Sequence, residues 1–182
     1  SSDVCSSDLP NGYLLDGAYM QANGSEEQIK GMYLTQITED GDIAVLSGSN
    51  QFSVSDEVIR GGVKIQKRDL ETSDTKGQGS ATLKDAEFEI ISLNDNAVLV
   101  EGKLYSKNEV VKTILTDIEG VASTSADLLP YGKYRIEESK APEGYLTNGA
   151  EPIEFEITED GKIVDLTGTD TSIYNQVKRG DL

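Results

Sequence analysis

Reactive side chains are scarce in this sequence, and their types narrow the chemistry available to it. There is no histidine and a single cysteine, Cys5, so Ser–His and Cys–His nucleophilic pairs are excluded. Cys5 sits within Ser1–Leu9, a stretch unlike anything after it, which reads as a non-native segment and is given no role. The rest of the chain can form no disulfide, so any covalent brace must use other side chains. Carboxylates are abundant, 33 Asp and Glu against 16 Lys and Arg, but most stand in alternating strands or in turns. Turnover catalysis is therefore not expected. Asp40-Gly41-Asp42 and Asn94-Asp95-Asn96 lack the regular oxygen-ligand spacing of a calcium loop and read as turns. No metal or cofactor is expected. Asn23-Gly24-Ser25 matches a glycosylation acceptor but reads as a loop, and Arg179-Gly180-Asp181 spells an integrin-binding tripeptide.

The formal charge of −17 would repel phosphate backbones and anionic lipid heads. Nucleic acid is not an expected partner. No apolar run approaches the roughly 20 residues of a membrane span, so no membrane insertion is expected of this segment. Leu129-Pro130-Tyr131-Gly132 shares only two letters with a sortase-type anchoring motif, so targeting and anchoring segments are expected outside this chain. Val, Ile, Thr and Tyr are plentiful and helix-forming runs are hard to find, which favours strands.

An internal repeat organises those strands. Pro10-Asn11-Gly12-Tyr13-Leu14-Leu15-Asp16-Gly17-Ala18 matches Pro142-Glu143-Gly144-Tyr145-Leu146-Thr147-Asn148-Gly149-Ala150. Ile37-Thr38-Glu39-Asp40-Gly41 matches Ile157-Thr158-Glu159-Asp160-Gly161, and Leu46-Ser47-Gly48 matches Leu166-Thr167-Gly168. Val58-Ile59-Arg60-Gly61 then matches Val177-Lys178-Arg179-Gly180 in the same order. The expected organisation is the C-terminal part of a truncated repeat over residues 10–59, a complete repeat over 60–178, and the start of another over 179–182. Arg179-Gly180 aligns with Arg60-Gly61, so Arg-Gly reads as a junction feature rather than an integrin site. Asp56 aligns with Asn175, one repeat later.

Within the complete repeat, Val63-Lys64-Ile65-Gln66-Lys67 alternates, placing Val63, Ile65 and Lys67 on one face. Strands are also predicted over Ala86–Ile90, Val110–Leu115, Tyr134–Glu138, Ile153–Ile157, Ile163–Leu166 and Ser172–Asn175. Asp160-Gly161 between the fifth and sixth of these seven reads as the turn of a hairpin. Short strands at regular spacing with polar turns predict an all-β antiparallel sandwich.

Several of these segments carry a recognisable pattern. They are Val63-x-Ile65-x-Lys67-x-Asp69, Leu83-Lys84-Asp85-Ala86-Glu87-Phe88, Thr116-Asp117-Ile118-Glu119-Gly120, Leu129-Pro130-Tyr131-Gly132-Lys133-Tyr134-Arg135-Ile136-Glu137-Glu138, Ala141-Pro142-Glu143-Gly144-Tyr145 and Ile173-Tyr174-Asn175. In this order they resemble the SpaA-type prealbumin-like (Cna B-type) domains of Gram-positive pilins and surface adhesins. The family often has glycine where Asp85 stands. The resemblance implies a prealbumin-like, Ig-like sandwich and a structural stalk or pilin module on the cell surface or wall. Implied partners are neighbouring repeats of the same chain and other pilin subunits or host matrix proteins. The competing expectation is an adhesin domain that itself recognises a host matrix protein.

The resemblance also implies an intramolecular isopeptide bond between a first-strand lysine and a last-strand Asn or Asp, assisted by an acidic residue. It places these roles on Lys67, Asn175 and Glu138, and makes Asp56 the acceptor of the truncated repeat. Strand parity agrees. Glu138 shares a face with Tyr134 and Ile136, and Asn175 with Ile173, whereas Lys64 and Glu137 point the other way. Burial disfavours the ammonium, leaving a neutral amine able to attack the carboxamide carbon. Glu138 is expected to act as a neutral acid against the amide oxygen and to relay protons while ammonia leaves. Such a reaction happens once and consumes its own side chains.

Overall fold

The computed structural model describes residues 57–147 and 150–180, together with the backbone of three short strands nearer the N-terminus. Two compact units divide the chain, Ser1–Val58 and Ile59–Leu182. In the first, β1 (Tyr13–Leu14), β2 (Met20–Ala22), β3 (Ser25–Glu27) and β4 (Glu57–Val58) form two small ladders, β1 with β4 and β2 with β3. Asp56, Cys5, Asn23-Gly24, Asp40-Gly41-Asp42 and Asp181 lie outside the described residues.

The second unit contains no helix among its described residues. Its first strand, β5 (Arg60–Asp69), is the longest, and four others share its two edges. The facing layer begins with β6 (Glu87–Ser92), which is followed by a small hairpin of β7 (Val98–Val100) and β8 (Lys103–Tyr105). Next come β9 (Val110–Leu115), β10 (Val121–Ser123), β11 (Leu129–Pro130) and β12 (Gly132–Lys140). The chain closes with β13 (Tyr145–Leu146), β14 (Ile153–Ile157), β15 (Ile163–Leu166) and β16 (Ile173–Val177).

One sheet has the order β10-β5-β16-β13, with β11 and β15 also paired to β5, and the other has the order β14-β12-β6-β9. Alternation explains the layers. Val63 and Ile65 from the first sheet and Phe88, Ile90, Tyr134 and Ile136 from the second are fully buried between them. Tyr134 stacks on Phe155 at 5.7 Å, and its hydroxyl donates to the Pro130 carbonyl at 2.8 Å. The predicted all-β sandwich is the fold observed.

Two features depart from the sequence expectation. Ile153–Ile157 and Ile163–Leu166 are strands, but they do not form a hairpin. β14 pairs with β12, whereas β15 crosses to the other sheet and runs parallel to β5. The Asp160-Gly161 turn docks on β5 instead of folding back. Arg60 N–H donates to Asp160 Oδ1 at 3.0 Å, and Gly161 N–H donates to the Arg60 carbonyl at 2.8 Å. A turn signal fixes that the chain reverses, not which sheet the next strand joins. The last strand, β16, is also parallel to β5, with Ile173 opposite Lys67 and Asn175 opposite Asp69.

Asp85 adopts a φ of 61°, a left-handed conformation that asparagine, aspartate and above all glycine tolerate. Its backbone N–H donates to the Thr116 carbonyl at 2.9 Å, which holds this turn at the start of β6. Gly120 is left-handed for a tighter reason. At φ 74° a Cβ there would stand 3.1 Å from the Lys67 carbonyl oxygen. The Asp117–Gly120 turn thus lies directly over the strand that carries Lys67.

Candidate functional site

The site is built from three strands in two layers. Lys67 lies near the C-terminal end of β5 and Asn175 on the adjoining β16, so these two share a sheet. Glu138 projects from β12 in the facing sheet, opposite Phe88 on β6. Alternation along each strand turns all three side chains into the layer between the sheets.

The backbone around Lys67 is tightly held. Its N–H donates to the Gly120 carbonyl at 2.7 Å. Gln66 points away from the inner layer yet is buried, because its amide reaches the Glu119 carbonyl at 2.9 Å and the Lys67 carbonyl at 2.8 Å. Sequence alternation alone would have left Gln66 in solvent. The covering turn supplies the difference.

Three polar side chains meet in this apolar setting. Lys67 and Asn175 are both 0% exposed. Lys67 Nζ donates to Asn175 Oδ1 and lies 3.0 Å from Glu138 Oε1, whose side chain is 1% exposed. The latter contact is close without being an aligned hydrogen bond, since Oε1 has no directed partner. The other carboxylate oxygen, Oε2, accepts from Asn175 Nδ2 at 2.7 Å. Glu138 therefore touches the lysine nitrogen with one oxygen and the amide nitrogen with the other. The sequence expectation put the carboxyl against the amide oxygen, and here it faces the nitrogen instead.

Burial lowers the Lys67 pKa to about 8, and it outweighs the opposing pull of the nearby Glu138 carboxylate. The Phe88 ring, with its centroid 5.7 Å from Nζ, completes the enclosure. A minority of Lys67 is thus neutral at physiological pH, where an exposed lysine would be almost wholly charged.

A second buried polar group lies two residues along the same face. Asp69 is fully buried, and its carboxylate accepts from the Tyr145 hydroxyl, the Gln78 amide, the Thr72 hydroxyl and the backbone N–H groups of Glu71 and Thr72. Sequence reasoning included Asp69 and Tyr145 in the family pattern without giving either a role. Strand parity with Lys67 was the available signal for Asp69. Arg179, the first residue of the tripeptide noted above, binds Glu71 of the same unit at 2.8 Å. Among the described residues no group of three or more Cys, Asp or Glu is arranged to hold a metal ion. The described residues contain no helix long and apolar enough to cross a membrane.

Comparison with known proteins places this sandwich in a family. The SpaA family, described as a prealbumin-like fold domain, matches residues 61–172, more than half of the chain, and the protein belongs to it. That match stops short of Asn175. The TIE protein of Bacillus anthracis is 28% identical over 93% of this chain, with a TM-score of 0.51, and the matched part is 24% of that structure's chain. The major pilin subunit BcpA of Bacillus cereus is 26% identical, covering 69% of this chain and 32% of its own, at a TM-score of 0.43. A minor pilin of Streptococcus agalactiae is 20% identical over 71% of this chain and 50% of its own, at a TM-score of 0.43. The chain thus spans half or less of the length of these structures. No curated protein matches it.

Proposed function

We propose that residues 60–178 form a stalk or pilin module of a Gram-positive cell-surface protein, locked by an amide bond between Lys67 and Asn175. The observation that carries this reading is the bridging carboxylate. Glu138 lies 3.0 Å from the would-be attacking nitrogen and 2.7 Å from the would-be leaving nitrogen. The neutral Lys67 amine attacks Asn175 Cγ, forming the new C–N bond. Glu138 takes the proton that the amine sheds and gives it to Nδ2, so that the old C–N bond breaks with loss of ammonia. Lysine and carboxamide enter, secondary amide and ammonia leave, and Glu138 is restored.

A purely structural ion pair would explain the same burial less well. Desolvating an ammonium and a carboxylate costs several kcal/mol each, often more than their attraction returns. Amide formation removes the ammonium charge from the core altogether. Membership of the SpaA family supports the stalk reading, and the internal repeat supports tandem modules with neighbouring repeats as partners. A surface stalk implies display outside the cell, with other pilin subunits or host matrix proteins as partners of the larger assembly.

Intact mass spectrometry tests the bond. The folded chain should weigh about 17 Da less than its sequence, the mass of one ammonia. Lys67→Ala, Asn175→Ala and Glu138→Ala should each restore the full mass. A wild-type protein at full mass after prolonged folding overturns the assignment. Restoration by Lys64→Ala alone would place the reaction on the wrong face of β5.

The rate of mass loss should depend on pH through the attacking group. Attack needs the neutral Lys67 amine, whose share grows as pH rises through about 8. The proton that Glu138 hands to the leaving nitrogen is the one the amine sheds, so it is supplied at every pH. The rate should climb about tenfold per unit below about pH 8 and level off above it. A rate that is level below about pH 8 and falls above it would contradict attack by the neutral amine.

A further inference from the structure

Besides the core side chain Ile173 and the Arg68–Ser172 hydrogen bond at its start, the acceptor strand is held by short ladders. β16 meets β5 at three residue pairs, Ile173 with Lys67, Tyr174 with Arg68 and Asn175 with Asp69, and meets β13 at two. A slip of one residue in such a short ladder would turn Asn175 to the opposite face, out of reach of Lys67. Something must keep the register, and the hydrogen bonds of the ladder are few.

Tyr145 and Asp69 stand on the two strands that flank β16. Tyr145 is on β13, opposite Val177, and Asp69 is on β5, opposite Asn175. Both are buried, and the Tyr145 hydroxyl donates to Asp69 Oδ2 at 2.7 Å. The phenol therefore passes beneath β16 and joins its two neighbours. Gln78 donates to both Asp69 oxygens, at 2.9 and 3.1 Å, while its own N–H reaches the Tyr145 hydroxyl at 3.3 Å. Two backbone bonds close the same end of the unit. Leu70 N–H donates to the Asn175 carbonyl at 3.0 Å and Lys178 N–H to the Gly144 carbonyl at 2.7 Å.

We propose that the Tyr145–Asp69 pair is a strap that seats β16 in register, making both of them positioning residues for crosslink formation. Neither hydrogen-bonds to the Lys67, Glu138 or Asn175 side chain, so the strap acts through the strand and not through the proton relay. Its donor and acceptor are fixed over the working pH range. Burial pushes the Tyr145 phenol up to about 12, with the Asp69 hydrogen bond adding to the rise. At Asp69 burial acts to raise the pKa, but the bonds from Tyr145, Thr72, Gln78 and Glu71 outweigh it and hold the carboxyl at about 2.

This inference rests on the crosslink reading, and its test separates the two. The full chain is made by cell-free synthesis, synthesis is stopped, and the approach to the lighter mass is followed by intact mass spectrometry. Tyr145→Phe removes only the hydroxyl. Its crosslinking rate should fall by about tenfold or more, since a hydrogen bond to a charged group is worth at least that factor in an equilibrium. The rise of rate through about pH 8 should stay where it is in the wild type, because the relay is untouched. The comparison is made where circular dichroism shows the variant folded. A merely structural tyrosine would lower the melting temperature and leave that rate unchanged, and an unchanged rate overturns the strap. Gln78→Ala, at a half-buried loop position, covers the case in which Tyr145→Phe does not fold. It should slow the reaction by about threefold or more through its lost bonds to Asp69, and a wild-type rate there also overturns the strap. A wild-type chain that never loses mass defeats the crosslink itself, and the strap's part in it.

Discussion

Under tension the wild-type unit should lengthen only at its ends, while the Lys67→Ala unit should release an added extension approaching the contour length of about 360–390 Å. β5 begins the unit at Arg60 and β16 ends it at Val177, and the two run parallel, so a pull on the chain ends shears one past the other. Without a crosslink that shear is resisted by a short ladder whose hydrogen bonds contribute about 0.5–1.5 kcal/mol each. With one, force passes from β5 into β16 through an amide, and the 108 steps of sequence separating Lys67 from Asn175 are bypassed. Each bypassed residue would otherwise add about 3.3–3.6 Å when drawn out, which gives the expected length before the folded span is subtracted. Single-molecule force spectroscopy on the chain between two reference domains measures it. Equal extension of the two proteins would end the reading of this domain as a covalently locked strut.

Heat should separate the same two states. Closing a loop over 108 residues restricts the unfolded chain by about 4–5 kcal/mol on the chain-entropy account developed for disulfides. That is comparable with the whole stability of many domains, about 5–15 kcal/mol. Lys67→Met keeps most of the buried volume and forbids the bond, and should lower the melting temperature by about 15–20 °C. Lys64→Met, on the other face of the same strand, should shift it by less than about 2 °C. Calorimetry on the three proteins decides the matter, and similar values for wild type and Lys67→Met would count against a closed loop. Reductant should change none of them, since the unit contains no cysteine.

The sequence revealed the strands better than their partners. Alternation marked β14 from end to end, because it presents a regular inward face to the core. The predicted bounds of β9 and β15 also held, although in β9 a bulge sets the buried Val111 and Ile114 three residues apart. The hairpin expected between β14 and β15 failed because a turn signal is local, while β15 is placed by β5, a hundred residues earlier. The hairpin of β7 and β8 escaped notice for the opposite reason. Its turn is Glu101-Gly102, with Glu101 itself left-handed at φ 49°, and not the Asn-Gly or Asp-Gly that announces such a turn. At the site, parity alone turned Lys67, Glu138 and Asn175 inward. That Glu138 would come from the facing sheet and touch both nitrogens required the fold. Asp69 and Tyr145 were legible only as members of a pattern, because their contact spans three strands.

Peptide mapping tests the central claim most directly. Trypsin cannot cut after an amidated lysine, so digestion of the folded, then denatured, chain should release Ile65-Gln66-Lys67-Arg68 joined through Lys67 to Asn175 within the segment Ile163–Lys178. Tandem mass spectrometry should find this branched species about 17 Da lighter than its two parts together, with fragment ions placing the link at those two residues. Recovery of Ile65-Gln66-Lys67 and of the Asn175 segment as separate linear peptides, each at its full mass, would contradict the account.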